Sequence, residues 1–243
     1  MLTIATYNIH KGHSLTRGCH MSALKEGLHE LNADIICLQE VQDINTRRVT
    51  LRGDHGHSQL NALCGATYPH YAYGANAIYT HGHHGNAILS KFPIHSHQNI
   101  DVSDHRLEQR GLLHAVVEHP RHGDLHVVCA HFGLFKGSRI RQAQALIHLV
   151  KAEVPANAPL IIAGDFNDWN LHVHSLLSSQ LHITDAMEHM QSNKAARTFP
   201  VSLPWFKLDR LYSRDLEIKT ANVHGGSAWR ARSDHLPISA SLY

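Results

Sequence analysis

The sequence predicts an α/β fold in which two mixed β-sheets pack on each other and helices cover the outside. Three observations predict it. Short segments rich in Val, Ile and Tyr recur about ten times in 243 residues, more than one open sheet comfortably holds. Some are joined by hairpin-like connections and others by helical stretches, which argues for mixed rather than purely parallel sheets. The helical stretches keep one face apolar, so each needs a sheet to lie on.

The first strand-like segment is Leu2–Ile9. A helix follows, with Leu24, Leu28 and Leu31 on one face and Ser22 as its expected N-cap. Asp34–Val41, Tyr71–Tyr79 and Asn86–Ser90 read as strands. Gly111–His119 and Leu125–His131 flank "EHPRHGDLH", where Pro120 and Gly123 predict a hairpin turn. In "SRIRQAQALIHLVKAEV", Ile140, Ala143, Ile147, Val150 and Val154 line one helical face, and Pro155 stops the helix. Leu160–Ala163 is the next strand and His172–Ser179 the third helix. Leu208–Ser213, Glu217–Val223 and Ile238–Leu242 complete the strands. No repeat, low-complexity tract or linker interrupts the chain, so one domain over residues 1–243 is expected.

With 43% hydrophobic and 17% charged residues the chain is globular rather than disordered. A formal net charge of +2 is not the strong basic excess of a dedicated nucleic-acid binder. The 25 histidines, including His81-Gly82-His83-His84, are spread so widely that most are expected on solvated surface. Cys19, Cys37, Cys64 and Cys129 show no close pairing, and Cys37 and Cys129 sit in apolar runs, so buried free thiols are expected. The start, MLTIATYNIHKG, reads as a strand and not a leader, and no run is apolar enough for a membrane span. A cytoplasmic protein is expected.

Polar residues cluster where strands end. Asn8 ends the first in "TYNIHKG", Glu40 the second in "IICLQEV", and His131 a later one in "LHVVCAHFG". Asp165 and Asn167 end "LIIAGDFNDWN", and Asp234 and His235 precede the last strand in "RSDHLPI". Singly, each has an ordinary reading as a turn or cap residue; Asp165-x-Asn167 is an Asx-turn pattern. Together they are carboxylates and amides without a thiolate, which suits Mg²⁺ or Mn²⁺, plus two imidazoles suited to proton transfer or phosphate contact. That combination describes metal-assisted hydrolysis of a phosphoester.

The order Asn, Glu, His, Asp-x-Asn, Asp, Asp-His resembles the endonuclease/exonuclease/phosphatase (DNase I-like) superfamily across nearly the whole chain. "LQEV", "GNAILSKFPI", "GDFND" and "SDHLPI" carry the resemblance. It implies a four-layered α/β sandwich and a divalent metal. It also implies Asn8, Glu40, Asp165, Asn167 and Asp234 on the metal side, with Glu40 the main ligand. Asp165 and Asn167 would position water and the scissile phosphate, His235 would contact phosphate or act as base, and Asp209 in "KLDRLY" would orient His235. Asp165 and His235 are rivals for the base. His131 would be an acid toward the leaving oxygen. Lys11 and Arg110 are candidate phosphate contacts, whereas Arg139 and Arg141 are expected to be solvated.

The preferred substrate is a lipid headgroup or other small diester. The alternatives are DNA or RNA, for which "NTRRVTLRGDH" (Arg47, Arg48, Arg52) offers a local basic patch, and an inositol-type phosphomonoester. A catalytically silent phosphate-binding module is the non-enzyme alternative.

Overall fold

The structure is a computed structural model that describes residues 1–14, 18–19, 21–45, 58–189 and 196–243. Arg47, Arg48 and Arg52 lie outside those residues, as does the side chain of Cys19.

Two six-stranded mixed sheets form the centre. The strands of the first are β1 (Leu2–Asn8), β4 (Ile35–Asn45), β5 (His70–Tyr79), β6 (Gly82–Ser90), β13 (Ile218–Val223) and β14 (Ile238–Leu242), in the order β13-β14-β1-β4-β6-β5. The second holds β7 (Ile94–Asp101), β8 (Gly111–His119), β9 (Gly123–His131), β10 (Leu160–Asp165), β11 (Thr184–Asp185) and β12 (Asp209–Arg214), in the order β11-β12-β10-β9-β8-β7. The two-residue strands β2 (His13–Ser14) and β3 (Gly18–Cys19) pair by themselves. β1 runs parallel to β4 and β9 parallel to β10; the other pairings within the two sheets are antiparallel.

Strand periodicity builds the layers. Leu2, Ile4, Ile35, Cys37 and Ile88 of the first sheet meet Leu113, Val127, Cys129, Ile161 and Leu211 of the second in a central core. The alternate residues face outward onto helices. Ala5, Tyr7 and Ile36 pack on α1 (Met21–Leu31) and α2 (Gln59–Cys64). Val128, Ala130, Ile162 and Tyr212 pack on α3 (Lys136–Glu153) and α4 (His172–Leu181). A short helix, α5 (Ser227–Arg230), precedes β14. Helix, sheet, sheet, helix is the expected sandwich, and Cys37 and Cys129 are the expected buried free thiols. Among the described residues no helix is long and apolar enough to cross a membrane.

Four expectations change. β7 was not visible because IHSHQNID lies at a sheet edge, mostly exposed, with little apolar alternation to read. Ser22 is the second residue of α1 rather than its cap. β4 does not end at Glu40 but continues to Asn45. Arg139 is buried, because its guanidinium binds the carbonyls of Gly133 and Leu134 at the start of α3; Arg141 is exposed and paired with Asp104.

Gly164 is required where β10 meets β9. Its φ is 155°, and a Cβ there would lie 1.9 Å from the Ala130 carbonyl oxygen. Gly164→Ala is expected to destabilise the fold by about 3 kcal/mol or more. Chemical denaturation measures this, and a cost below about 1 kcal/mol would show that the ladder can yield there.

Candidate active site

Period-two alternation delivers four polar side chains to one place. On β1 the inward series is Leu2, Ile4, Thr6, Asn8; on β9 it is Leu125, Val127, Cys129, His131; on β10 Ile161, Ala163, Asp165; on β12 Asp209, Leu211. Apart from Thr6 on β1, each inner face is apolar except at the position that lies on this edge. His131, Asp165 and Asp209 are also in register across β9, β10 and β12, since Asp165 pairs with His131 on one side and Asp209 on the other.

Asp165 Oδ2 is the hub. It accepts a hydrogen bond from Asn8 Nδ2 at 3.0 Å, and His131 Nε2 and His235 Nε2 each lie 3.7 Å from it. Its other oxygen accepts the Asn167 N–H at 3.0 Å, so the Asx turn exists and serves to aim the carboxylate. Asn167 also donates Nδ2–H to the Phe132 carbonyl. His235 donates from Nδ1 to Asp209 Oδ2 at 2.8 Å. The loop bearing Asp234 and His235 is anchored twice. Ser233 Oγ donates to the Asn8 carbonyl at 2.7 Å, and Arg232 binds Glu30 of α1 through both terminal nitrogens while stacking on Trp229.

Glu40 is positioned by a different device. Asn8 pairs with Gln39 across β1 and β4, which places Glu40 next along the ladder. The register with β6 shifts between Leu38 and Val41, and Glu40 has φ 57°. A bulge of this kind re-aims a side chain within a continuing strand. Lys11 Nζ lies 3.6 Å from Glu40, and His10 Nδ1 lies 3.8 Å from Asp234. His10, Lys11, Glu40 and Asn167 all have positive φ, so strained backbone gathers around these side chains.

A sequence profile described as the Endonuclease/Exonuclease/phosphatase family matches residues 5–235. The chain belongs to this family. It is 36% identical over 245 residues to protein YbhP of Escherichia coli (strain K12), described as uncharacterized, covering 99% of this chain and 95% of YbhP. Its fold is similar to that of an endonuclease/exonuclease/phosphatase from Beutenbergia cavernae DSM 12333, with TM-score 0.82 and 21% identity, over 99% of this chain and 71% of that one. It is also similar to a mannosyl-6-phosphatase from Bacteroides thetaiotaomicron VPI-5482, with TM-score 0.71 and 17% identity over the whole of both chains.

The donor set in this endonuclease/exonuclease/phosphatase family member fits a hard divalent cation. Glu40 and Asp234 keep about a fifth of their side-chain surface open, at 18% and 19%. Asp209 Oδ1 is buried without a partner, and Asp165, Asp209 and His235 bring possible ligand atoms within 4.8 Å of one another. The donors are oxygens and imidazole nitrogens, while Cys37 and Cys129 are held in the core.

Electrostatics divide the two histidines. Burial opposes charge on His235, but Asp209 and then Asp165 outweigh it and lift the pKa to about 10. His131 is held well below the ordinary range by burial, then by the Arg110 and His235 charges. Burial lifts Asp165 to about 6, against the opposing pull of His235.

Three residues have surroundings that the sequence did not show. Arg110 uses three N–H groups on the protein itself, bonding Phe132 O, Gln109 O and Glu108 Oε1, so much of its fork is occupied. Burial holds the pKa of His131 well below the ordinary range, which disfavours the charged form that a proton donor needs. Asp168, the second carboxylate of the "GDFND" turn, leaves the cleft and accepts the His174 N–H in the first turn of α4. Sequence reasoning passed over His10 and Ser233, although both sit inside the quoted motifs. His84, part of the His81-Gly82-His83-His84 cluster that could catch a metal and that was grouped with the histidines expected mostly on solvated surface, instead has Lys11, Glu40 and Arg110 around it, and burial lowers its pKa to about 4. The position of His84 just before "GNAILS" was the available signal.

Proposed function

We propose that the chain, working as one domain over residues 1–243, is a divalent-metal-dependent phosphoester hydrolase. Its preferred substrate is a phosphodiester on a lipid headgroup or another small molecule. The observation that carries the reading is the convergence on Asp165 Oδ2 of Asn8, His131 and His235 from three separate segments.

Glu40, Asn8 and Asp234, with Asp165 and Asn167 beside them, would hold Mg²⁺ or Mn²⁺. Such an ion supplies Lewis-acid neutralisation of charge developing on phosphate oxygens. The chain's own residues do the rest. Asp165, with a pKa near 6, is an ionised carboxylate at neutral pH and accepts the proton of the attacking water. His235, an imidazolium held by Asp209, donates to a phosphate oxygen and stabilises the charge that builds there. Lys11 supplies a further cation. Neutral His131 positions Asp165, and as the phosphorus–oxygen bond to the leaving group breaks the leaving oxygen takes its proton from solvent. The raised pKa of His235 supports Asp165 as the base, because an imidazole that holds its proton to about pH 10 is poorly placed to accept another at neutral pH.

Bis-p-nitrophenyl phosphate tests the reading. Turnover should vanish in EDTA, return with Mg²⁺ or Mn²⁺, and exceed that on p-nitrophenyl phosphate. Calorimetric Mn²⁺ binding should be lost in Glu40→Ala. A protein with no metal-dependent turnover on either ester is a binding module, and the proposal would be wrong.

A further inference from the structure

The edge that carries His131, Asp165 and Asp209 also carries exposed apolar tips. β9 and β10 run toward this edge, and β8 and β12, antiparallel to them, run away from it. The loops just before β8 and β12 and just after β9 and β10 therefore all project on one side. From them emerge Leu107, 96% exposed, Leu134 and Phe135, Leu171, and Leu203 and Trp205, 71% and 61% exposed. Large apolar side chains concentrated around a site mark a surface that something covers.

The tips stand on both flanks of the cleft and on rigid supports. On one flank the Phe135 ring packs on His105 at 5.4 Å and the Leu134 N–H bonds Glu108, which ties the loop to the turn bearing Leu107. On the other, Phe199 and Phe206 bridge the base of a turn whose tip is Leu203 to Trp205. Both rings pack edge-on against Trp169, and Phe199 lies 4.8 Å from the His235 ring. Arg197 lies 4.9 Å over the Trp205 ring, and Arg106 and Lys136 are exposed beside the first pair of tips.

We propose that this edge docks on a phospholipid bilayer. The Leu203–Trp205 tip and the Leu134–Phe135 tip enter the interface on either side of the cleft, so that a headgroup phosphate meets Asp165 and His235 at the membrane surface. The substrate part of this inference rests on the hydrolase reading above; the docking part does not. A bilayer is the occupant that matches these side chains. Exposed leucines have nothing to gain against a nucleic-acid backbone, which calls for cations and stacking rings. Separate tips around an open cleft suit a yielding interface better than a protein partner, which needs one contiguous patch. An indole with a guanidinium over it suits the headgroup level, where apolar body and phosphate contact are both available.

The intact protein in EDTA, where metal-dependent turnover is halted, is floated with phosphatidylcholine vesicles, with and without phosphatidylglycerol. Flotation is expected, with Trp205 fluorescence quenched by brominated lipid and that signal absent from Trp205→Phe. The pairs Leu203→Glu/Trp205→Glu and Leu134→Glu/Phe135→Glu should each weaken binding about tenfold or more. Both should melt like the wild type and hydrolyse bis-p-nitrophenyl phosphate at the wild-type rate. The inference is overturned if the wild type stays in solution with both vesicle types, if the glutamate pairs float as well as it does, or if the same pairs instead abolish capture of a single-stranded oligonucleotide. Flotation without phosphoester turnover would overturn the hydrolase reading alone, and turnover without flotation the docking alone.

Discussion

Asp165→Asn is expected to lower kcat/KM about 10³–10⁴-fold, the scale of losing a positioned general base. The amide keeps the size of the side chain and removes its ability to take a proton. It also meets two donors, Asn8 Nδ2 and the Asn167 N–H, and cannot accept from both as a carboxylate does. The pH dependence of stability should change as well. Burial lifts the pKa of Asp165 to about 6 from an ordinary 3.8, so the stability its protonated form contributes is full below about pH 4 and is lost as pH rises through about 6. The neutral amide escapes that loss. The melting temperature of the variant relative to the wild type should therefore rise between pH 4 and pH 7, measured without metal. Activity within tenfold of wild type would remove Asp165 from the chemistry.

Asp209→Asn comes second, with a fall in kcat of about 10²–10⁴. Asp209 touches no reacting atom in this reading; it holds His235 through Nδ1 and keeps it charged. Without the carboxylate, burial should prevail and the His235 pKa should drop from about 10. Imidazole NMR titration reads this directly. The sign for stability follows. A raised histidine pKa contributes stability that is complete below about 6.5 and disappears as pH rises through about 10. The stability gap between wild type and Asp209→Asn should be widest near pH 6 and close toward pH 10.5. An unchanged His235 titration with reduced activity would mean that Asp209 acts in another way.

Much of the fold was legible in the chain because alternation and punctuation are local. Gly111–His119 and Ile238–Leu242 came out at their observed bounds, since the first is a Leu- and Val-rich run closed by Pro120 and the second alternates just after Pro237. The misses have a common cause. β7 is an edge strand with little to bury, and β6 begins in GHHGN, where glycine and histidine hide a strand that its neighbours β4 and β5 impose. Of the site, the residue types and their order were legible, because an oxygen-rich donor set with two histidines has a chemistry of its own.

Sequence by itself determined the layers and the donor inventory: which faces must be buried, and which groups of that kind stand at strand ends. The tertiary structure alone decided how those groups are used. Register across β9, β10 and β12 aligned His131, Asp165 and Asp209, and a bulge at Glu40 turned its side chain toward Lys11 while β4 ran on. Burial beside particular charges raised the pKa of one histidine and lowered that of the other. The reason is that hydrophobic patterning acts between near neighbours in the chain, whereas a protonation state depends on the dielectric and the charges within a few ångströms, which only the folded packing brings together.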